Sequence, residues 1–224
     1  MDLARVESVI GSDAIFKLKN SHVVVVGLGG VGSYIAEGLA RSGVGHLTLI
    51  DGDKIASSNI NRQIPALLST MGKLKTEVMR GRIFDINSEC MVTTHSSFYG
   101  AGDFEKFFSK KIDYVADAID SLAAKADILT CCVREKIPVI SSMGMCNKLC
   151  PEYLKLADIS ETHTCPLARN LRKSLRIQGV YRGITVVYSR EEPKIKSRTT
   201  GSMVFVPASA GILMASFIVR QLIK

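Results

Sequence analysis

No C-x-x-C pair occurs in the 224-residue chain, although it has six cysteines (Cys90, Cys131, Cys132, Cys146, Cys150 and Cys165). Cys146 and Cys150 are spaced C-x-x-x-C and no cysteine follows Cys165, so a four-thiolate zinc site is not expected. Nor do the spacings read as a secreted disulfide framework. Met1 to Asn20 is too charged for a signal peptide, which points to a reducing, cytoplasmic setting. Long apolar runs are missing too. The longest, Met203 to Ile218, carries Pro207 and small polar residues and falls short of the ~20 residues that a membrane span needs. It reads instead as a packed strand followed by a core helix, and no membrane association is expected. Tryptophan is absent, and there is no internal repeat and no low-complexity tract. What remains is the composition of a soluble globular protein, long enough to bury about 70% of its unfolded surface without a disulfide or metal staple.

Acidic residues are in deficit: 29 Lys and Arg stand against 21 Asp and Glu, a formal charge of +8. The excess is concentrated. Arg169, Arg172, Lys173, Arg176, Arg182, Arg190, Lys194, Lys196 and Arg198 follow one another with only Glu191 and Glu192 among them. Such a stripe suits a polyanion, because each neutralised phosphate releases counterions. On charge alone, a solvated helix face plus a charged, mobile loop over Arg190–Gly201 is the plainer reading.

Hydrophobic periodicity alternates between strand and helix. Strands are expected at His22–Val26, His46–Ile50, Met91–His95, Ile112–Ala118 and Pro138–Ser142. Helices are expected at Val31–Ser42 (ended by Gly43), from about Lys73 to Asp85, and at Leu122–Glu135. The order implies an α/β fold: a Rossmann-type, doubly wound, mostly parallel sheet with ligands at the carboxyl ends of its strands. The second half adds strands at Tyr153–Ile159, Gly183–Ser189 and Ser202–Val206. Its helices are Cys165–Ile177 and a last one opened by Pro207. The expected divisions are an N-terminal helical arm (1–21), a nucleotide-binding half (22–145) and a C-terminal half with the basic region (146–224).

Gly27-Leu28-Gly29-Gly30-Val31-Gly32 fits G-x-G-x-x-G between a strand and a helix, where glycines let backbone N–H groups and the helix N-terminus approach a phosphate. Asp51 ends the second strand, where an acid can bond ribose hydroxyls. That much is compatible with NAD. The following residues favour a triphosphate: Asp53 beside Asp51, then Arg62, then Lys75, cations able to neutralise the far phosphates and steady a leaving pyrophosphate. Asp120 stands where a carboxylate could hold Mg²⁺. Singly, each has an ordinary explanation: a surface arginine, a helix-start lysine, an N-cap aspartate.

As a set, Gly27-x-Gly29-Gly30-x-Gly32-Ser33, Asp51-x-Asp53, Asn61-Arg62-Gln63, Lys73-x-Lys75 and Asp117-Ala118-Ile119-Asp120-Ser121 resemble the adenylation domains of ubiquitin-activating-like (ThiF-type) enzymes. The resemblance implies that the glycine loop with Ser33, Asp53, Asn61 and Gln63 cradles ATP and that Asp51 binds its ribose. It further implies that Arg62 and Lys75 hold the β- and γ-phosphates, and that Asp120 holds Mg²⁺. The common reaction is attack of a carboxylate on the α-phosphate, which needs alignment and charge neutralisation more than a strong acid or base.

The C-terminal half is similar to the tRNA threonylcarbamoyladenosine dehydratase branch, through Cys165-Pro166-Leu167-Ala168-Arg169, Leu171-Arg172-Lys173, Val187-Tyr188-Ser189, Glu191-Glu192-Pro193 and Gly201–Gly211. That branch implies a tRNA partner met by Arg169, Arg172, Lys173 and Arg176. It also implies a homodimer and ATP-dependent cyclisation of the threonylcarbamoyl group on the adenosine beside the anticodon. A sulfur-relay protein is a further partner class that the resemblance allows. The alternative is an adenylyltransferase for a small ubiquitin-like sulfur carrier, against which the missing zinc cysteines count. An NAD-binding oxidoreductase and a non-catalytic nucleotide sensor are the remaining classes. Cys165 lies where ubiquitin-type enzymes can place a thioester-forming cysteine, with Arg169 and His163 nearby; a small residue at a helix start is the plainer reading. One departure stands out: the family carries an N-terminal arginine that reaches the partner subunit's ATP, and here that position is Asp2, with Arg5 nearest.

Overall fold

The computed structural model describes residues 1–108, 111–192 and 200–224. Lys194, Lys196 and Arg198 of the basic stripe, and Pro193, lie outside the described residues, as does most of the expected 190–201 loop.

Val23–Val26 are all buried in β1 (His22–Val26). β-Branched side chains stiff at χ1 suit a central strand covered on both faces. β1 pairs in parallel with β2 (His46–Ile50) on one side and β4 (Tyr114–Asp117) on the other. β3 (Met91–His95) extends the sheet beyond β2, and β5 (Val139–Ser142) extends it beyond β4. The C-terminal half continues the same sheet. β7 (Thr185–Ser189) lies parallel to β5, and β6 (Leu154–Asp158) closes that edge antiparallel to β7. The order β3-β2-β1-β4-β5-β7-β6 reverses between β1 and β4, the switch point at which doubly wound sheets bind ligands.

Helices α3 (Gly32–Arg41) and α4 (Lys75–Ile86) cover one face, and α6 (Leu122–Arg134) and α7 (Pro166–Ile177) the other, each side with its own buried cluster. α3 stops where expected, with Gly43 at φ +88. The N-terminal segment forms two short helices, Ala4–Ile10 and Ser12–Lys19 (α1 and α2), and Leu18 of α2 reaches the core. A short helix, Phe104–Phe107 (α5), escapes sequence reading because one turn has too few residues to show a period.

The expected strand at Ser202–Val206 does not form. Gly201 and Ser202 are held by two asparagines instead of a ladder: Gly201 N donates to Asn147 Oδ1 at 2.6 Å, Gly201 O accepts from Asn147 N at 2.8 Å, and Asn61 Nδ2 donates to Ser202 O at 2.7 Å. The last helix, α8 (Phe205–Leu222), starts two residues before Pro207, which still falls in the first turn where a missing N–H costs nothing. α8 has the length and composition of a membrane span. Here Val206, Ala210, Met214, Ala215 and Ile218 are buried in the core with Ile35 and Leu39 of α3. Small residues let these helices approach: a Cβ on Gly38 would stand 2.9 Å from Ala215 Cβ.

Gly81 is the opposite case. It is exposed within α4 and a Cβ there meets nothing within 4 Å. Gly81→Ala is expected to stabilise the protein by about 1 kcal/mol, raising the melting midpoint by roughly 2–4 °C. A thermal melt with no upward shift would contradict this account of α4.

Candidate nucleotide-binding site

The carboxyl ends of β1, β2, β4 and β5 open onto one cavity of ≈ 430 Å³. The glycine turn forms its floor. Gly27 takes φ +87, and a Cβ on Gly32 would stand 1.7 Å from Gly27 O. Gly29 and Gly30 line the cavity, whereas Gly32 and Ser33 lie behind it. Ser33 was expected at the nucleotide; its Oγ donates to Gly29 O at 2.7 Å and accepts from Ile64 N, so it buttresses the loop from inside.

Asp51 is buried at the end of β2. One carboxylate oxygen accepts from Leu28 N at 2.6 Å and the other from Asp53 N at 2.8 Å. The segment after β2 then pairs with the chain entering α4: Ile55 N donates to Lys73 O and Lys75 N to Asp53 O. This pairing sets Lys75 Nζ 2.7 Å from Asp53 and 3.9 Å from Asp51, with Lys75 buried. Burial raises the Asp51 carboxyl above its ordinary pKa, opposed by Lys75 and by the two N–H donors.

Arg62 lines the cavity with its stem over Gly30, and its Nη1 donates to Ser58 O and Asn61 Oδ1. Asn61 is not a lining residue. Its amide is spent on Arg62 and on Ser202, which makes it a clasp between the two sides of the cavity mouth. Gln63 is buried against Gly29, and its Oε1 has no partner among the described residues. A buried amide oxygen without a bond is costly, and its place in the lining makes a ligand the natural partner. Asp120 also lines the cavity, exposed and without a hydrogen bond or ion pair among the described residues. It is not the cap of α6; that position belongs to Ser121.

Two residues at or beneath this site, and a third away from it, escape sequence reading. Phe98 follows β3 and its ring lies against Gly52, where a Cβ would come within 2.7 Å of it. The side chain is 66% exposed yet lines the cavity beside Asp51. Lys125 lies wholly buried beneath the site. Glu191, counted with the basic stripe, turns inward and accepts from Leu149 N and Cys150 N at about 3 Å. The one available signal was position: an aromatic just past a strand's carboxyl end, and a lysine on the apolar face of a helix.

The basic stripe divides on α7. Arg169, Lys173 and Arg176 are exposed and make no ion pair among the described residues. Arg172 is committed to the fold, donating to Thr162 O at 2.9 Å and to its hydroxyl. Cys165 is buried at the start of α7 and does not line the cavity, while His163 packs edge-on against Tyr188. Neither arrangement makes a reactive dyad. Arg5 lines a separate cleft with Val9 and Arg220.

A glycine loop, a buried carboxylate and two cations meet at the sheet's switch point, and the model of the ThiF family matches residues 3–224. The chain belongs to the ThiF family. Within it, the tRNA threonylcarbamoyladenosine dehydratase of Bacillus subtilis is 42% identical over 239 residues, covering 99% of this chain and 94% of the relative. The Escherichia coli enzyme of that name is 40% identical over 188 residues, 81% of this chain and 70% of its own. The crystal structure of the E. coli dehydratase in complex with ATP matches with a TM-score of 0.93 at 35% identity, over 98% of this chain and 93% of that one.

Proposed function

We propose that this ThiF-family chain is an ATP-dependent tRNA threonylcarbamoyladenosine dehydratase. The observation that carries the reading is the convergence of the glycine loop, Asp51, Arg62, Lys75 and Asp120 on one cavity, in a chain that matches dehydratases over nearly its whole length. The sulfur-carrier adenylyltransferase reading has less behind it: a Drosophila adenylyltransferase and sulfurtransferase matches 60% of this chain at 33% identity.

ATP is the co-substrate. Backbone N–H groups of Gly29 and Gly30 and the α3 N-terminus face its phosphates, Asp51 its ribose, and Arg62 and Lys75 its distal phosphates. Asp120, without a partner among the described residues, fits Mg²⁺, which keeps several waters and takes one or two carboxylates beside substrate phosphates. When bound, the ion would supply further neutralisation of the leaving pyrophosphate. The carboxylate of the threonylcarbamoyl group attacks the α-phosphorus and pyrophosphate departs. The carbamoyl nitrogen or oxygen then attacks the activated carbonyl and expels AMP, closing a ring with net loss of water. Because that attack is intramolecular, positioning supplies much of the acceleration and no cysteine nucleophile is needed. Exposed Arg169, Lys173 and Arg176 provide the tRNA-facing charge. The proposed active form is a cytoplasmic homodimer.

The test is pyrophosphate release from Mg²⁺ and ATP with threonylcarbamoylated tRNA and with unmodified tRNA, followed by mass analysis of the nucleosides. Release confined to the modified tRNA, with a product lighter by one water, is expected. Release driven instead by a carrier protein ending in Gly-Gly would overturn the reading.

Phe98 is placed to stack on the adenine, since it lies beside the ribose-side acid on an otherwise open wall. Phe98→Ala is expected to weaken ATP binding about 10-fold while leaving the turnover number within about 3-fold, because stacking on an aromatic ring contributes roughly 1–3 kcal/mol. An unchanged ATP dissociation constant would remove Phe98 from the site.

A further inference from the structure

Among the described residues, the most deeply buried lysine lies beneath the cavity. Lys125 and Asp117 are both wholly shielded from solvent, and Lys125 Nζ is 2.6 Å from Asp117 Oδ2. Lys125 sits on the face of α6 that also buries Ile128, Leu129 and Cys132. Taking two charges out of water costs several kcal/mol per ion, and a well-packed apolar pair of similar volume is often no less stable. Stability alone is therefore a poor reason for this pair.

Its hydrogen bonds identify what it joins. All three Nζ donors are used: on Asp117 Oδ2, on Ser141 Oγ at 3.1 Å and on Ser142 O at 3.0 Å. Ser141 Oγ donates to the same Asp117 oxygen at 2.6 Å, and the other Asp117 oxygen accepts from Ile119 N at 3.2 Å. Asp117 ends β4, Ser142 ends β5, and the ladder between these strands stops at Asp117 opposite Ser141. Just beyond, Ala118–Asp120 and Ser142–Cys146 form one wall of the cavity. The pair ties two strand exits together at the point where the β4–β5 ladder ends, each exit keeping a backbone bond only to its other neighbour, Ala118 N to Val26 O and Met143 N to Val187 O.

We propose that Lys125 is a positioning residue for ATP activation: through Asp117 it fixes the turn that presents Asp120, and through Ser142 it fixes the adjoining stretch of the same wall. The proposal rests on the reading of the cavity as the ATP site. A fully bonded charged network has one geometry, whereas an apolar pair would let the two exits shift. A misplacement of about 1 Å in such a site can cost about 10²-fold in rate.

The test uses two variants of the full chain. Lys125→Met with Asp117→Asn removes both charges together, so that neither is left buried alone. Ser141→Ala keeps the ion pair and deletes one of its two links to β5, leaving the bond from Lys125 to Ser142 O. Thermal melts, displacement of a fluorescent ATP analogue and pyrophosphate release are measured on each. The double variant is expected to melt within a few degrees of the wild type, yet bind ATP about 10-fold more weakly and release pyrophosphate about 100-fold more slowly, with the larger loss in kcat. Ser141→Ala is expected to keep its melting point and lose about 5- to 10-fold in kcat. Wild-type binding and rate in the folded double variant, or in Ser141→Ala if the double variant does not fold, would overturn the proposal. A wild-type protein that fails to bind ATP would instead sink the site reading on which it stands.

Discussion

Lys75→Met is expected to lower pyrophosphate release by about 10²- to 10³-fold, the range found when one preorganised charge donor is removed from a transition state. The cation is fixed before ligand arrives. Backbone pairing of 53–55 with 72–75 delivers it, and Asp53 holds it at 2.7 Å. Methionine keeps the stem and loses the charge, so the fold should survive while the far phosphates lose a counter-charge.

The same change should alter stability in a pH-dependent way. Asp51 is raised above its ordinary pKa by burial, and Lys75 is the largest influence holding it down. Without Lys75 the carboxyl rises further. An acid whose folded pKa exceeds its unfolded value is most stabilising when protonated, and that contribution is lost as pH rises from the unfolded pKa through the folded one. The variant should therefore be destabilised by on the order of 1–3 kcal/mol at neutral pH, with a smaller deficit in acid. Melting both proteins at about pH 5 and about pH 8 checks it. An equal deficit at the two pH values would show that Asp51 does not carry the cost.

Gly32→Ala is expected to be the most damaging single methyl in the nucleotide loop. The new Cβ would stand 1.7 Å from Gly27 O and 3.3 Å from Ala118 Cβ. Those atoms belong to the first turn after β1 and the exit of β4, which cannot move apart without opening the switch point. A cost of about 4 kcal/mol or more follows from forced backbone displacement in a packed core, and ATP binding should vanish with the loop geometry. Chemical denaturation with ATP titration measures both. A variant that keeps its stability and still binds ATP would mean that the loop has another accessible conformation.

Much of the fold could be read from the sequence because parallel, doubly buried strands have a plain signature. Val23–Val26, His46–Ile50 and Met91–His95 are short apolar or β-branched runs between helices, and the structure places strands there. Ser202–Val206 has similar composition but no neighbouring edge, since β6 closes the sheet and Asn61 and Asn147 occupy the backbone of 201 and 202. Strand propensity measures fit to a pleated surface, and no such surface is available to that segment.

The site divides along the same line. The sequence by itself determined the alternation of strand and helix, the glycine turn and the identity of the acids and cations that a nucleotide site needs. These depend on local geometry and on residue type, which travel with the chain. Only the tertiary structure decided which of them face the ligand. Ser33 and Asn61 carry the motif yet spend their hydrogen bonds on the loop and on Ser202, whereas Phe98 carries no motif and lines the cavity, and Lys125 lies buried beneath it on Asp117 and Ser142. A motif fixes chemistry at a chain position, but contact is set by how distant segments meet, and that is settled by burial and by the demand that every buried polar group find a partner.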